Sequence, residues 1–440
     1  MPFFTIALLL SVLVGKILAA QWAWIPAERG VVWASIWVLI LGGSHRIAMA
    51  YAAVVYEQFR QPARALESAR ALREILFWVW ILISPLLLAY CGWGSVVEEV
   101  LHFCSAQSSL SVALLLWALP SLGYIALADG ALFELDRYLS SQHGWKKDEC
   151  ESSRRGFLAF WWNHFRATWL MLLIPTALIC TSVDIAHRFE FEQWTWYSRM
   201  VFYGLATLGA IALFPKLLAW TWNVRPLKES TQHEAIQQTW DRLGLGSIPI
   251  DQWSTGMRMS NAFVLGLLPW HRRLVLSDRL LSKLTQAQLE MILCHEAAHV
   301  HRYHAWVRAL PFVLSLVVMG VGQGLYHEVA GVHQWMESHA AWVMGLAIAK
   351  VLGVFWASGK LAQWSEKDAD SQAVRYAQAL GLGLPSNESY DRAVREECSP
   401  SKTLAEALWA ASPPSHRHKA TWLYPSIQQR CRLLLSDKSA

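Results

Sequence analysis

The sequence predicts a mainly α integral membrane protein with about eight transmembrane helices and one α+β polar domain, split in sequence by the last membrane hairpin. Three observations predict it. Of the 440 residues, 54% are hydrophobic and only 16% charged, where an ordinary soluble domain is roughly a quarter charged. The apolar residues gather into runs of about 20, the length a helix needs to cross a hydrocarbon core. The polar residues that remain collect in two stretches flanking the last two runs.

Taken in order, the spans are expected at 3 to 24, 31 to 55, 75 to 97, 110 to 128, 167 to 183, 200 to 222, 309 to 327 and 340 to 359. The first has no basic residue ahead of its apolar stretch, is interrupted by Lys16 and is followed by no small-residue cleavage site, so it reads as a retained span rather than a signal peptide. The second includes His45 and Arg46, whereas the third holds no charge at all. Lys350, midway along the eighth, is costly in lipid and must snorkel, pair or line a cavity.

Orientation follows from the basic residues. Arg60, Arg64, Arg70 and Arg73 follow the second span, and Arg137, Lys146, Lys147, Arg154 and Arg155 follow the fourth, whereas 98 to 109, 184 to 198 and 328 to 339 are nearly free of Lys and Arg. Basic loops stay in the cytoplasm, which places both termini inside. These loops also account for the net charge of +5 without nucleic acid as a partner. The seven cysteines are scattered and include no CxxC pair, which fits a reducing compartment.

The domain organisation is then a six-span region at 1 to 222, a polar segment at 223 to 308, a membrane hairpin at 309 to 359 and a second polar segment at 360 to 440. Together the polar segments make one domain of about 165 residues, an ordinary size. Within the second, the polar, turn-rich stretch from Pro385 to Lys402 is expected to be a mobile loop.

The chemistry lies in TQAQLEMILCHEAAHVHRYH. Thr285 and Gln288 have capping-box spacing, so a helix starts there. His295 and His299 follow one turn apart on one face, the geometry that two ligands of a tetrahedral zinc need, with Glu296 beside them to act on the attacking water. An HExxH string arises by chance in about a few per cent of chains this rich in histidine, so a third ligand matters. Candidates stand in GKLAQWSEKDADSQAVRYA, where Glu366 and Asp370 lie one turn apart. One of them can reach a metal while the other orients a histidine, or the pair is an acidic solvated helix face. His301 and His304, off the face of the two ligands, are expected to mark the membrane surface, and Cys294 is expected to be a small packed residue. The run NAFVLGLLPWHRRLVLS alternates as a short hairpin with a free edge, able to hold an extended peptide by strand addition.

HEAAH, a membrane hairpin and then EKDAD resemble the HtpX and CaaX-prenyl-protease family of membrane gluzincins, whose pattern is HExxH followed by ExxxD. Asn261, Ala262 and Phe263 resemble its NAF motif, and the resemblance covers about Asn261 to Leu434. It implies a zincin-like catalytic domain with zinc on His295, His299 and Glu366, Glu296 as general acid and base, and Asp370 behind the ligands. It further implies that Asn261 lines the substrate cleft. YPSIQQR resembles the HPSxxxR element, in which a His and an Arg face the site. Arg430 takes the arginine's place, but Tyr424 stands where the histidine is expected, and His416 or His418 is a possible replacement. A tyrosine hydroxyl can still donate to an oxyanion. The function implied is a zinc endopeptidase of a bacterial cytoplasmic membrane, acting on membrane or misfolded proteins at the cytoplasmic face, with protein substrates and the lipid bilayer as partners. Oligomeric state is left open. The alternatives are a non-catalytic membrane adaptor, against which intact HEAAH and EKDAD argue, and a sensor-transducer protease cleaving one regulator, against which the short outer loops argue.

Overall fold

The computed structural model describes residues 27–104, 109–142, 157–158, 160–162, 165–166, 170–188, 195–255, 260–329, 331–384, 399–412 and 417–436. The chain divides into two compact units, Met1–Trp194 and Thr195–Ala440. The expected span at 3 to 24, most of the second basic loop and His416 lie outside the described residues.

The first unit is helical: α1 (Ala27–Phe59), α2 (Pro62–Tyr90), α3 (Trp93–Phe103), α4 (Leu110–Gln142) and α5 (Met171–Arg188). The span expected at 75 to 97 is broken. α2 ends at Tyr90 and Gly92, at φ 77°, lets the chain turn before α3, so the long apolar helical stretch is Ser68–Tyr90 instead. The two polar residues of the second span part company. Arg46 points outward and pairs with Glu134 at 3.1 Å, while His45 is fully buried and meets the Tyr124 hydroxyl at 2.8 Å. Nearby, Arg73 and Asp129 form a buried pair at 2.5 Å and Trp80 stacks on Tyr124 at 4.5 Å. Arg73 was expected in a cytoplasmic loop; its guanidinium instead turns into the bundle, because Asp129 on α4 supplies the partner that a charge away from water requires.

The second unit opens with α6 (Trp196–Thr221) and a four-stranded sheet of β1 (Val224–Pro226), β2 (Ile250–Trp253), β3 (Ala262–Leu265) and β4 (Arg273–Ser277), with α7 (Thr231–Arg242) between the first two strands. The strand order is β1-β2-β4-β3, with β2 and β4 parallel and the other pairs antiparallel. The expected hairpin is β3 with β4, and β3 is a sheet edge. Leu274, Val275 and Leu276 of β4 are fully buried.

After α8 (Asp278–Lys283) comes α9 (Gln286–His301), opened by the expected capping box: the Thr285 hydroxyl accepts from Gln288 N, and the Gln288 side chain accepts from Thr285 N. α10 (His304–Glu328), α11 (Val332–Ser338) and α12 (Ala340–Leu380) follow, then α13 (Pro400–Ala411) and α14 (Ile427–Ser436). α9 is buried almost all round, with Leu289, Met291 and Leu293 in the core. It packs on α12, and both helices bury small residues completely, Ala297 and Ala298 on the one and Ala369, Ala373 and Ala377 on the other. Alanine at a helix contact lets the axes approach closely, and this sets HEAAH beside EKDAD. Of the loop expected from Pro385 to Lys402, residues 385–398 lie outside the described residues. The rest is ordered: Ser399 caps α13, accepting from Lys402 N.

Among the described residues five helices are long and apolar enough to cross a membrane: Ala27–Phe59, Ser68–Tyr90, Leu110–Leu139, Val201–Thr221 and His304–Tyr326. The stretch expected to span at 340 to 359 is the first half of the 41-residue helix α12, which is not one of the five.

Candidate metal centre

α9 presents His295 and His299 on successive turns, and α12 presents Glu366 opposite them. The Nε2 atoms of His295 and His299 stand 3.2 Å apart, and each lies 3.6 Å from a Glu366 carboxylate oxygen. These are the described His, Cys, Asp and Glu side chains that converge as a candidate metal-ligand group. Donors about 2.0–2.1 Å from a tetrahedral zinc stand about 3.3 Å from one another, so the triangle has the size and the N, N, O chemistry that zinc takes. Two buried imidazole nitrogens facing each other, with a carboxylate beside them, form an arrangement that a shared cation satisfies.

Buried charges surround the three. Asp370, one turn beyond Glu366, places Oδ1 3.0 Å from His295 Nδ1, although the ring N–H is not aligned for a hydrogen bond. Arg430 on α14, only 5% exposed, donates to both oxygens of Asp370 at 2.6 and 2.7 Å and lies 3.1 Å from Glu366. Arg308, in the first turns of α10, donates to Glu366 Oε1 and to Ser365 Oγ, both at 2.7 Å. A carboxylate has about four acceptor positions, so Glu366 can hold both guanidiniums and still offer lone pairs to an ion.

This crowding sets the protonation. Burial pushes the Glu296 carboxyl up to about 7, and neighbouring Glu366 adds to the rise. Burial likewise pushes His299 down to about 2, helped by the charge on His295. For His295 burial acts downward, but Asp370 and Glu366 outweigh it and hold the ring up at about 9. For Glu366 burial acts upward, but His295 and Arg430 win and keep the carboxylate well below its ordinary range. Burial also raises Cys294 to about 12, so this thiol in the core is a packed, inert group.

The structure thus brings His295, Glu296, His299, Glu366, Asp370 and Arg430 together. Tyr424 adjoins them from a turn closed by Thr421 N donating to Tyr424 O at 2.8 Å. Although 47% of Tyr424 is exposed, its hydroxyl has a raised pKa, first from burial and then from Glu366. Asn261 is not drawn in. It is exposed at the head of β3, and its side chain accepts from its own neighbour, Ala262 N, at 3.1 Å. His418 is exposed and turned to Gln428 at 3.0 Å.

Sequence reasoning passed over Arg308, and it read His304 as a surface marker. His304 is instead 1% exposed and packed on His299, and Asp368 lies behind it. The available signals were a cation at the foot of an apolar helix and a further histidine five residues after the second ligand. His301 is exposed and bonded to Leu243 O at 3.0 Å.

No curated protein sequence matches the chain. Among solved structures it is similar to the crystal structure of S. mikatae Ste24p, with a TM-score of 0.50 and 15% identity, covering 96% of this chain and 98% of that one. At that identity the likeness is one of fold, and with the five apolar helices it makes this a multi-pass membrane protein. Residues 226–415 match the model of peptidase family M48. That stretch contains HEAAH and EKDAD, in the order that carried the resemblance to membrane gluzincins, and over it the chain is similar to peptidase family M48.

Proposed function

We propose that this chain is a zinc-dependent endopeptidase embedded in a membrane, hydrolysing peptide bonds of membrane or misfolded proteins at the cytoplasmic face. The observation that carries this reading is the triangle of His295, His299 and Glu366 donors, 3.2 to 3.6 Å on a side, with the buried carboxyl of Glu296 next to it. His295, His299 and Glu366 hold the ion, and zinc in that position supplies a Lewis acid for the scissile carbonyl and for water. Asp370, clamped by Arg430, orients the His295 ring. Glu296 removes the proton of the attacking water and returns it to the departing amine, a role suited to a carboxyl whose pKa lies near neutrality. Tyr424 offers a hydroxyl to the oxygen that gains negative charge. The unpaired edge of β3, beginning after Asn261, receives the substrate as an added strand, so recognition rests on main-chain hydrogen bonds.

The two glutamates separate the steps. Glu296→Gln is expected to keep zinc and fold while casein cleavage falls by about two to four orders of magnitude. Glu366→Gln is expected to lose both metal and activity. Full proteolysis by purified Glu296→Gln would falsify the mechanism and favour the adaptor reading.

A further inference from the structure

We infer that His304 is a positioning residue for the metal: it fixes the ring of His299 through a His299–His304–Asp368 chain of hydrogen bonds. The inference rests on the zinc-site reading above. His299 has two ring nitrogens with different neighbours. Nε2 faces His295 and Glu366, and Nδ1 lies 2.8 Å from His304 Nδ1. The far nitrogen of His304, Nε2, lies 3.0 Å from Asp368 Oδ2, which also accepts from Arg302 Nε at 3.2 Å. His304 is 1% exposed, standing edge-on to His299 at 4.9 Å between ring centroids and to Trp364 at 5.6 Å.

Only one proton arrangement serves both ends. A metal on His299 Nε2 leaves the proton on its Nδ1, so His304 Nδ1 must accept it. His304 then carries its own proton on Nε2 and donates it to the Asp368 carboxylate, whose charge Arg302 balances. The carboxylate at the end of the chain therefore dictates the tautomer of a ligand two rings away, and a ligand held in one tautomer and one orientation binds metal better. Asp370 approaches the other ligand, His295, directly, so each imidazole has a carboxylate behind it, one at first hand and one relayed.

The backbone supports the assignment. Between α9 and α10 the chain turns at Tyr303, whose φ of 53° is left-handed. A bulky residue rarely adopts that region, so the surroundings hold the turn in place. The turn brings residue 304, which ordinary helix continuation would carry off the ligand face, back against His299.

Two amides separate this role from mere packing, because asparagine places its polar atoms near Nδ1 of a histidine and glutamine places them near Nε2. In the full-length chain in detergent, zinc affinity is measured by competition with a chelator for wild type, His304→Asn, His304→Gln, His304→Ala and His299→Ala, with thermal unfolding of the zinc-free proteins as the control for fold. His304→Asn, still able to accept from His299, is expected to bind zinc within a few-fold of wild type. His304→Gln and His304→Ala are expected to weaken it about 10- to 100-fold. Unchanged affinity in all three, equal loss in all three, or a glutamine better than the asparagine overturns the inference. His299→Ala tells the two failures apart: retention of a full zinc equivalent sinks the metal site itself, whereas zinc loss there beside unaffected His304 variants sinks only the positioning role.

Discussion

Arg430 brings one guanidinium against two carboxylates, bidentate on Asp370 and 3.1 Å from Glu366, in a place that water scarcely reaches. Burial works against its charge, but Asp370 and Glu366 outweigh it and hold the guanidinium above its ordinary pKa. Removing one partner of a buried ionic cluster strands the other, at about 3–5 kcal/mol. Arg430→Ala is thus expected to lower the unfolding midpoint sharply and to abolish cleavage, whereas Tyr424→Phe removes one neutral hydrogen bond and keeps stability within about 1 kcal/mol. Equal stability of the two variants would show that Arg430 is not the keystone of the cluster. At this scale the sequence was legible where chemistry is local: four-residue spacing puts His295 and His299 on one face, and a glutamate between them follows. The acidic pair at Glu366 and Asp370 was visible too, but spacing alone does not say which acid takes the metal, because that depends on where Arg308 and Arg430 arrive from distant helices.

Elements were legible where their punctuation is local. Thr285 and Gln288 mark the start of α9, and the capping box forms as its spacing requires. Gly92 breaks what reads as one apolar run, because apolar composition alone does not reveal a left-handed turn inside it. α12 was foreseen as a span followed by a polar helix, and the two are one rod of 41 residues. Its contact with the turn bearing Tyr424 depends on Gly359, where a Cβ would collide with the Trp422 indole. Gln363, one turn on, donates to the carbonyls of Thr421 and Trp422 at 3.1 and 3.3 Å. Gly359→Ala is expected to push Trp422 off the helix and destabilise the protein by about 1–3 kcal/mol. It should slow casein cleavage without changing zinc content. Unchanged cleavage would mean that the turn finds the same place without this seat.

Over the whole molecule, the alternation of basic and nearly neutral loops predicts that both termini and the polar segments share the cytoplasmic side. Reporter fusions at Arg64, Ser105, Lys147, Glu192 and the C-terminus test it, with signals expected inside, outside, inside, outside and inside. An external signal at Lys147 or the C-terminus defeats this topology. Of the expected hairpin, the apolar run of α10 was readable from composition, whereas the first half of α12 is not among the apolar helices long enough to span. The packing of α9 on α12 was not readable, because buried alanines leave no mark in a hydropathy profile.

The split between the two polar segments also has a temporal meaning. His295 and His299 leave the ribosome early, and Glu366 only after α10 and the first half of α12, two helices that run together with Phe312 and Phe355 meeting between them at 6.4 Å. Until that pairing is complete, the two imidazoles have no carboxylate partner and the ion has only part of its cage. Closing a long loop costs entropy that the contacts along α10 and α12 must offset before the ends can stay together. A site assembled in this order is complete only once α12 has seated against α9.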